Sequence, residues 1–266
     1  LYEWAHTPYE WHGELFDHAR ACGVTCISTP FDETAVDLLE SLGAPFYKVA
    51  SFEMTDLPLV RRIAQTGKPM IVSTGMAHRD EIARTLAVAR QHGTGEIVLL
   101  HCISSYPTPI SAANLRAIPA LAREFDVLVG LSDHTMGNTA VIGAVALGAC
   151  LIEKHFTLAR ADGGPDAEFS MEPEELASMV HAAADAYGAL GSGVIGRGEV
   201  EEKSTIFRRS IYVVRDVRKG EAFTRDNLRR IRPGNGLSPE RFDEALTRNA
   251  ACHIAAGTPL SEDMLG

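Results

Sequence analysis

No stretch of this chain is both long and apolar enough to span a bilayer, so an integral membrane protein is not expected. The nearest approach, AVIGAVALGACLI at 140–152, is short and Gly-interrupted, and splits better into a helix end and a strand. Positive charge is also scarce: 25 Lys and Arg against 35 Asp and Glu leave −10 over 266 residues. That balance argues against nucleic acid as a partner. The five cysteines are odd in number and show no CxxC spacing, so a disulfide framework is not expected. Cys26, Cys102 and Cys150 fall in apolar runs and read as buried free thiols, which suits a reducing compartment. The opening LYEWAHTPYEW has no basic region followed by an apolar one and does not read as a signal peptide, so the expected location is the cytoplasm.

What is there is ordinary globular composition, 45% hydrophobic and 23% charged, with room for one large domain or a medium one and a small one. Strand-like apolar runs occur at VTCIS (24–28), FYKVA (46–50), PMIVS (69–73), EIVLLHC (96–102), VLVGL (127–131) and ACLIEK (149–154). Between them lie amphipathic stretches such as DETAVDLLESLG and HRDEIARTLAVARQHG, several closing on glycine (Gly43, Gly67, Gly93, Gly148). Near-continuous apolar strands alternating with helices predict a parallel sheet with right-handed crossovers. About six units are visible, against the eight of a closed barrel. A doubly wound sheet would show a Gly-rich turn after its first strand, but VTCIS runs on into STPFD.

GSGVIG at 191–196 has the spacing of a dinucleotide fingerprint but follows a helical pattern, so it reads as a linker. The predicted boundary follows: residues 1–200 form the large domain and 206–266 a small β-rich one, with RSIYVVRDV a strand and TRDNLRRI a short helix. Charge divides at the same place. Residues 206–266 hold 11 basic and 8 acidic side chains, net +3, and the remaining 14 and 27 give net −13. Two modules of opposite charge attract each other, within or between chains.

The runs end, in order, on STPFD, KVASFE, VSTGM, HCISSYPTP, LSDHT and EKHFT. In a barrel these ends carry the working groups. Alternation puts Ser132 and His134 on one face with Asp133 opposite, and Glu153, His155 and Thr157 on one face with Lys154 and Phe156 opposite. A single such histidine is ordinarily a hydrogen-bonded core residue. Two at the same layer of successive strands suit a shared divalent ion, Mn²⁺, Fe²⁺, Co²⁺ or Zn²⁺, that also binds substrate. Thr29, Ser51, Ser73, Ser104 and Ser132 surround Lys48 as an anion cradle would. A lysine inside a barrel needs a negative partner: Glu153, Glu53, or a bound phosphate or carboxylate.

Together STPFD, YKVASFE, IVSTGM, HCISSYPTP, GLSDHT, EKHFT and the later RPGNG resemble the sialic acid synthase family over nearly the whole chain, SFEMTDLPL and HFTLARADGGPDAEFS being closest to its pseudaminic acid branch. The resemblance implies a (β/α)₈ TIM barrel followed by a small SAF (antifreeze-like) domain. It implies a transferase that joins phosphoenolpyruvate to an open-chain amino sugar. His134 and His155 match the metal histidines, usually holding Mn²⁺. Thr29, Lys48, Ser51, Ser73 and Ser132 match the positions that bind phosphoenolpyruvate, while Ser104 stands where some relatives carry Asn. Glu53 matches an acidic residue beside the reacting carbons, so Glu53, Lys48, His134 and His155 form the expected catalytic set. Tyr106 and Asp166 match sugar-pocket positions. Arg232 matches an arginine reaching into the neighbouring subunit's site, which implies a domain-swapped homodimer. The family's first two strands, with a glutamate and a lysine, have no counterpart here, so the resemblance implies a barrel lacking those strands, of uncertain activity by itself.

Three other functions compete. The acceptor could be N-acetylmannosamine or the precursor of legionaminic acid. A non-catalytic sugar-binding protein needs neither the histidine pair nor Lys48. A metal-dependent aldolase or lyase needs no anion cradle of this size.

Overall fold

The computed structural model describes residues 6–93 and 96–266; residues 1–5, at the start of LYEWAHTPYEW, lie outside them. The chain divides into two compact units, Leu1–Ser192 and Gly193–Gly266.

The first unit opens with helix α1 (Tyr9–Ala21) and helix α2 (Glu33–Ser41). Five strands follow: β1 (Tyr47–Val49), β2 (Met70–Ser73), β3 (Ile97–Cys102), β4 (Leu128–Asp133) and β5 (Ile152–Lys154). They pair in chain order, all parallel, as one curled sheet. Helices α3 (Leu57–Ala64), α4 (Arg79–His92), α5 (Ala117–Phe125) and α6 (Thr139–Ala146) fill the crossovers, and α7 (Pro173–Ala189) follows β5. Their starts are written locally. The Asp32 carboxylate accepts from Ala35 N at 2.9 Å and Asp56 from Leu59 N at 3.1 Å, satisfying amides that the first turn leaves free. Gly43, Gly67 and Gly148 close α2, α3 and α6 with positive φ, as expected. Gly93 does not: its φ is −131°, and an added Cβ would lie 2.9 Å from the Ala64 carbonyl oxygen. Its requirement is space, not handedness.

Strand alternation separates two faces. Tyr47, Val49, Met70, Val72, Ile97, Leu99, Val129 and Leu131 face the helices, packing with Leu39, Leu59, Ile63, Leu86 and Ile118 into the main core. Each such side chain contributes about 1.5–3 kcal/mol by leaving water. The opposite face carries Lys48, Ser73, Cys102, Ser132 and Glu153. Register sets Cys102 beside Ser132 and Ser132 beside Glu153, forming one polar row.

Two further expectations fail in this unit. VTCIS has no regular structure and, among the described residues, joins no ladder. Val24 is 62% exposed with its N donating to Ala19 O at 2.9 Å, and Ser28 hydrogen-bonds His12 Nε2 at 3.1 Å, so this run is tied to α1 instead. Cys150 is exposed because it lies on the approach to the short β5; Cys102 is buried and Cys26 half-buried, and all five thiols are free.

GSGVIG, which spans the division between the units, is exposed and without regular structure. Strands β6 (Ser210–Val213) and β7 (Leu228–Ile231) pair antiparallel over a core of Ile211, Val213, Val217, Phe223, Leu228, Phe242, Ile254 and Leu260. The helix expected over TRDNLRRI is absent. Asn227 turns the chain by accepting from Thr224 N at 2.7 Å, and burial of Leu228 opposite Val213 makes LRRI a strand. The ladder outweighs the helix propensity of Leu and Arg.

A Cβ at Gly130 would meet Leu151 O at 2.3 Å and Leu100 Cδ2 at 2.7 Å, so β4 has no room for a side chain there. Gly130→Ala should destabilise the first unit by about 1–3 kcal/mol, the usual effect of overpacking, measured by urea unfolding. Unchanged stability would contradict the packing described.

Candidate active site

The constraint that organises the site is a cation. Lys48 projects from β1 onto the polar face and is only 7% exposed. Its Nζ lies 3.4 Å from Glu153 Oε2 on β5, choosing Glu153 from the partners the sequence allowed. Glu153 Oε1 accepts from Ser132 Oγ at 2.6 Å. On the opposite face Lys154 Nζ donates to Asp133 Oδ2 at 2.7 Å, both side chains buried.

Beyond this row the strands deliver the two histidines. Their ring centroids are 5.2 Å apart, at 67°. His134 Nδ1 lies 2.9 Å from the Ile103 carbonyl and acts as donor there, while Cys102 Sγ sits 4.0 Å away. His155 Nδ1 lies 3.5 Å from Asp166 Oδ2. Burial, then the neighbouring His134, pushes the His155 pKa down, favouring the neutral ring. The His134 Nδ1 donation leaves its Nε2 with a lone pair, and the Asp166 carboxylate faces the His155 ring. Two imidazoles this close suit a divalent cation. Among the described residues no group of three His, Cys, Asp or Glu converges on one point, so further positions would fall to water or substrate.

The hydroxyls are only partly gathered. Ser51 and Ser104 Oγ atoms are 3.1 Å apart. Ser73 Oγ is buried without a hydrogen-bond partner, as is Glu53 Oε2. Burial raises the Glu53 pKa, and Lys48 pulls it back only in part. Thr29 stands apart: it lines a cavity of about 230 Å³ with Tyr9, His12, Ser28 and Phe31, and makes no hydrogen bond to the serines or Lys48. Arg232 lies exposed in the second unit, just after β7.

Tyr106 packs 4.3 Å from the His134 ring, and Asp166 reaches His155, so both belong to this end of the sheet. Two contributors escaped the sequence reading. Phe169 lies 4.9 Å from the His155 ring, brought there by a loop whose path no periodicity encodes. At Gly75, φ is +49° and a Cβ would meet Ser51 Cβ at 2.4 Å and Ser104 Oγ at 2.8 Å. The glycine in VSTGM was the available signal.

Polar and ionisable groups gathered at the carboxyl ends of parallel strands define an α/β enzyme. Residues 1–195 match the NeuB family and residues 208–266 the SAF domain. The chain belongs to the NeuB family. It is 43% identical to a pseudaminic acid synthase of Helicobacter pylori, over 99% of this chain and 78% of that protein. It is also 43% identical to an N,N'-diacetyllegionaminic acid synthase of Campylobacter jejuni, over 90% and 72%. The crystal structure of an N-acetylneuraminic acid (sialic acid) synthetase from Leptospira borgpetersenii, 32% identical, covers 75% of this chain and 70% of its own with a TM-score of 0.71.

Glu53 yields a pH prediction. A carboxyl whose folded pKa is raised loses stability as pH rises through that pKa, because the buried anion is the disfavoured form. Glu53→Gln should therefore raise the Tm near pH 8 by about 2–4 °C, with the gain vanishing below the carboxylate range. Thermal unfolding across pH measures it; a gain independent of pH would contradict this account.

Proposed function

We propose that this chain condenses phosphoenolpyruvate with the open-chain amino sugar 2,4-diacetamido-2,4,6-trideoxy-hexose, giving pseudaminic acid and phosphate. The observation that carries the proposal is the buried Lys48 ammonium on the same polar face as the unpartnered Ser73 hydroxyl and the imidazole pair. A cation and free donors suit a phosphate and a carboxylate; two adjacent imidazoles suit the ion that a carbonyl needs. Similarity to the pseudaminic acid synthases selects the reaction.

Lys48 with Ser51, Ser73, Ser104 and Ser132 binds phosphoenolpyruvate, and Thr29 joins them only if its segment shifts toward β1. His134 and His155 hold a divalent ion, Mn²⁺ by family habit, which when bound supplies Lewis-acid polarisation of the acceptor's carbonyl oxygen. Carbon 3 of phosphoenolpyruvate bonds to the acceptor's carbonyl carbon, and the charge arising at carbon 2 is stabilised by Glu53. Water adds at carbon 2, and phosphate leaves with the bridging oxygen as the new keto group forms. Tyr106 and Asp166 contact the sugar.

The five parallel strands form, in this reading, the later part of a (β/α)₈ barrel. The basic second unit brings Arg232 to a neighbouring subunit's site in a domain-swapped homodimer, in the cytoplasm, where free thiols persist. The legionaminic acid synthase similarity supports a second reading with the isomeric acceptor.

In ¹⁸O-labelled water the label should enter the keto acid; label in the phosphate would contradict the cleavage. Chelation should abolish turnover and Mn²⁺ restore it. Lys48→Ala should lower kcat/KM for phosphoenolpyruvate by about 10²- to 10³-fold, the scale for removing a desolvated cation from its anionic partner. Activity retained by the chelated protein or by that variant would overturn the scheme.

A further inference from the structure

The six residues from Ile103 to Thr108, after β3, meet His134 at three points. Ile103 O accepts from the ring's Nδ1 at 2.9 Å, the Tyr106 ring packs 4.3 Å from the imidazole, and Thr108 N donates to His134 O at 2.8 Å. Thr108 stands between Pro107 and Pro109, which have no amide hydrogen, so the backbone of that stretch has only the Thr108 N–H to offer.

The Thr108 side chain closes the loop on itself. It is 4% exposed, and its hydroxyl lies 2.8 Å from Ser105 O and 3.2 Å from Ile103 O, sharing its single proton between them. Ser105 N adds another donor to Ile103 O at 2.9 Å. The carbonyl that the His134 ring uses is therefore aimed by its own loop, and β-branching at Thr108 restricts the rotamer that reaches it.

We propose that Thr108 is a positioning residue: by holding the Ile103 carbonyl against the ring it keeps His134 as the Nδ1–H tautomer, with Nε2 presented to a cation. The inference rests on the metal reading proposed above and adds the residue that orients one of the two ligands. A neutral imidazole carries one proton, and the nitrogen that an oxygen acceptor engages decides which nitrogen keeps the lone pair. Groups that orient a metal-bound ring in this way are worth about 10–100-fold in metal affinity. Thr108 acts through the carbonyl rather than on the ring, which sets its expected effect at the lower end.

The test compares the full chain with three variants. Thr108→Val keeps the shape and the bond from N to His134 O but has no hydroxyl. Thr108→Ala lacks the hydroxyl with less bulk, and Thr108→Ser restores it. Nitrogen-15 NMR of the metal-free proteins, at a pH where the rings are neutral, should show the Nδ1–H tautomer of His134 in the parent and in Thr108→Ser. Thr108→Val and Thr108→Ala should show a mixture of tautomers. His155, faced by Asp166 instead, should be unchanged throughout. Mn²⁺ affinity, read from the electron paramagnetic resonance of the free ion, should fall about tenfold in the two hydroxyl-free variants alone. One tautomer and one affinity across all four proteins, whatever happens to their Tm, would show that Thr108 only stabilises the loop and would overturn the inference. A parent that binds no Mn²⁺ overturns the metal reading instead, and the tautomer comparison then decides on Thr108 alone.

Discussion

A buried ammonium group cannot stand alone, and the arrangement around Lys48 follows from that. Isolated in an apolar interior the charge would cost several kcal/mol, so the fold supplies Glu153 from the far strand of the sheet. Glu153 in turn is steadied by Ser132. Because side chains alternate, fixing Ser132 and Glu153 also fixes the face on which His134 and His155 emerge two residues later. One electrostatic requirement at β1 thus propagates through β4 and β5 to the imidazole pair.

The two faces of the sheet do different work. The helix-facing side is a continuous apolar layer that stabilises the unit, while the other collects hydroxyls, a thiol, a carboxylate and an ammonium. Cys102 belongs to the second set. Burial pushes its thiol pKa up, and the hydroxyls of Ser132 and Ser104 offset this only in part, so it remains protonated. It fills space beside His134 without adding charge.

Much of this was legible in the sequence because it depends on period and parity. The parallel order of β1–β5, the helix within DETAVDLLESLG, and the shared face of Ser132 with His134 all follow from residue spacing. What was not legible depends on neighbours distant in sequence. VTCIS has the composition of a strand, yet a strand exists only where a ladder forms beside it. TRDNLRRI has helical composition, but Leu228 finds its burial opposite β6. Phe169 arrives through a loop fixed by Ser170 and Met171, and nothing in its local spacing announces the approach to His155. Thr29 shows the reverse: its motif suggested membership, yet it lines a cavity with His12 and Ser28.

Asp133 and Lys154, the buried ion pair behind the sheet, occupy the positions between the working residues at the ends of their strands: Ser132 and His134 at the end of β4, Glu153 and His155 at the end of β5. Sliding β5 one residue along β4 would carry Lys154 into the polar cleft and turn His155 toward the helices. The salt link, together with the second bond of Lys154 to Thr135 O, opposes that slip. It acts as a key in a keyway, aligning two neighbouring strands so that their imidazoles meet.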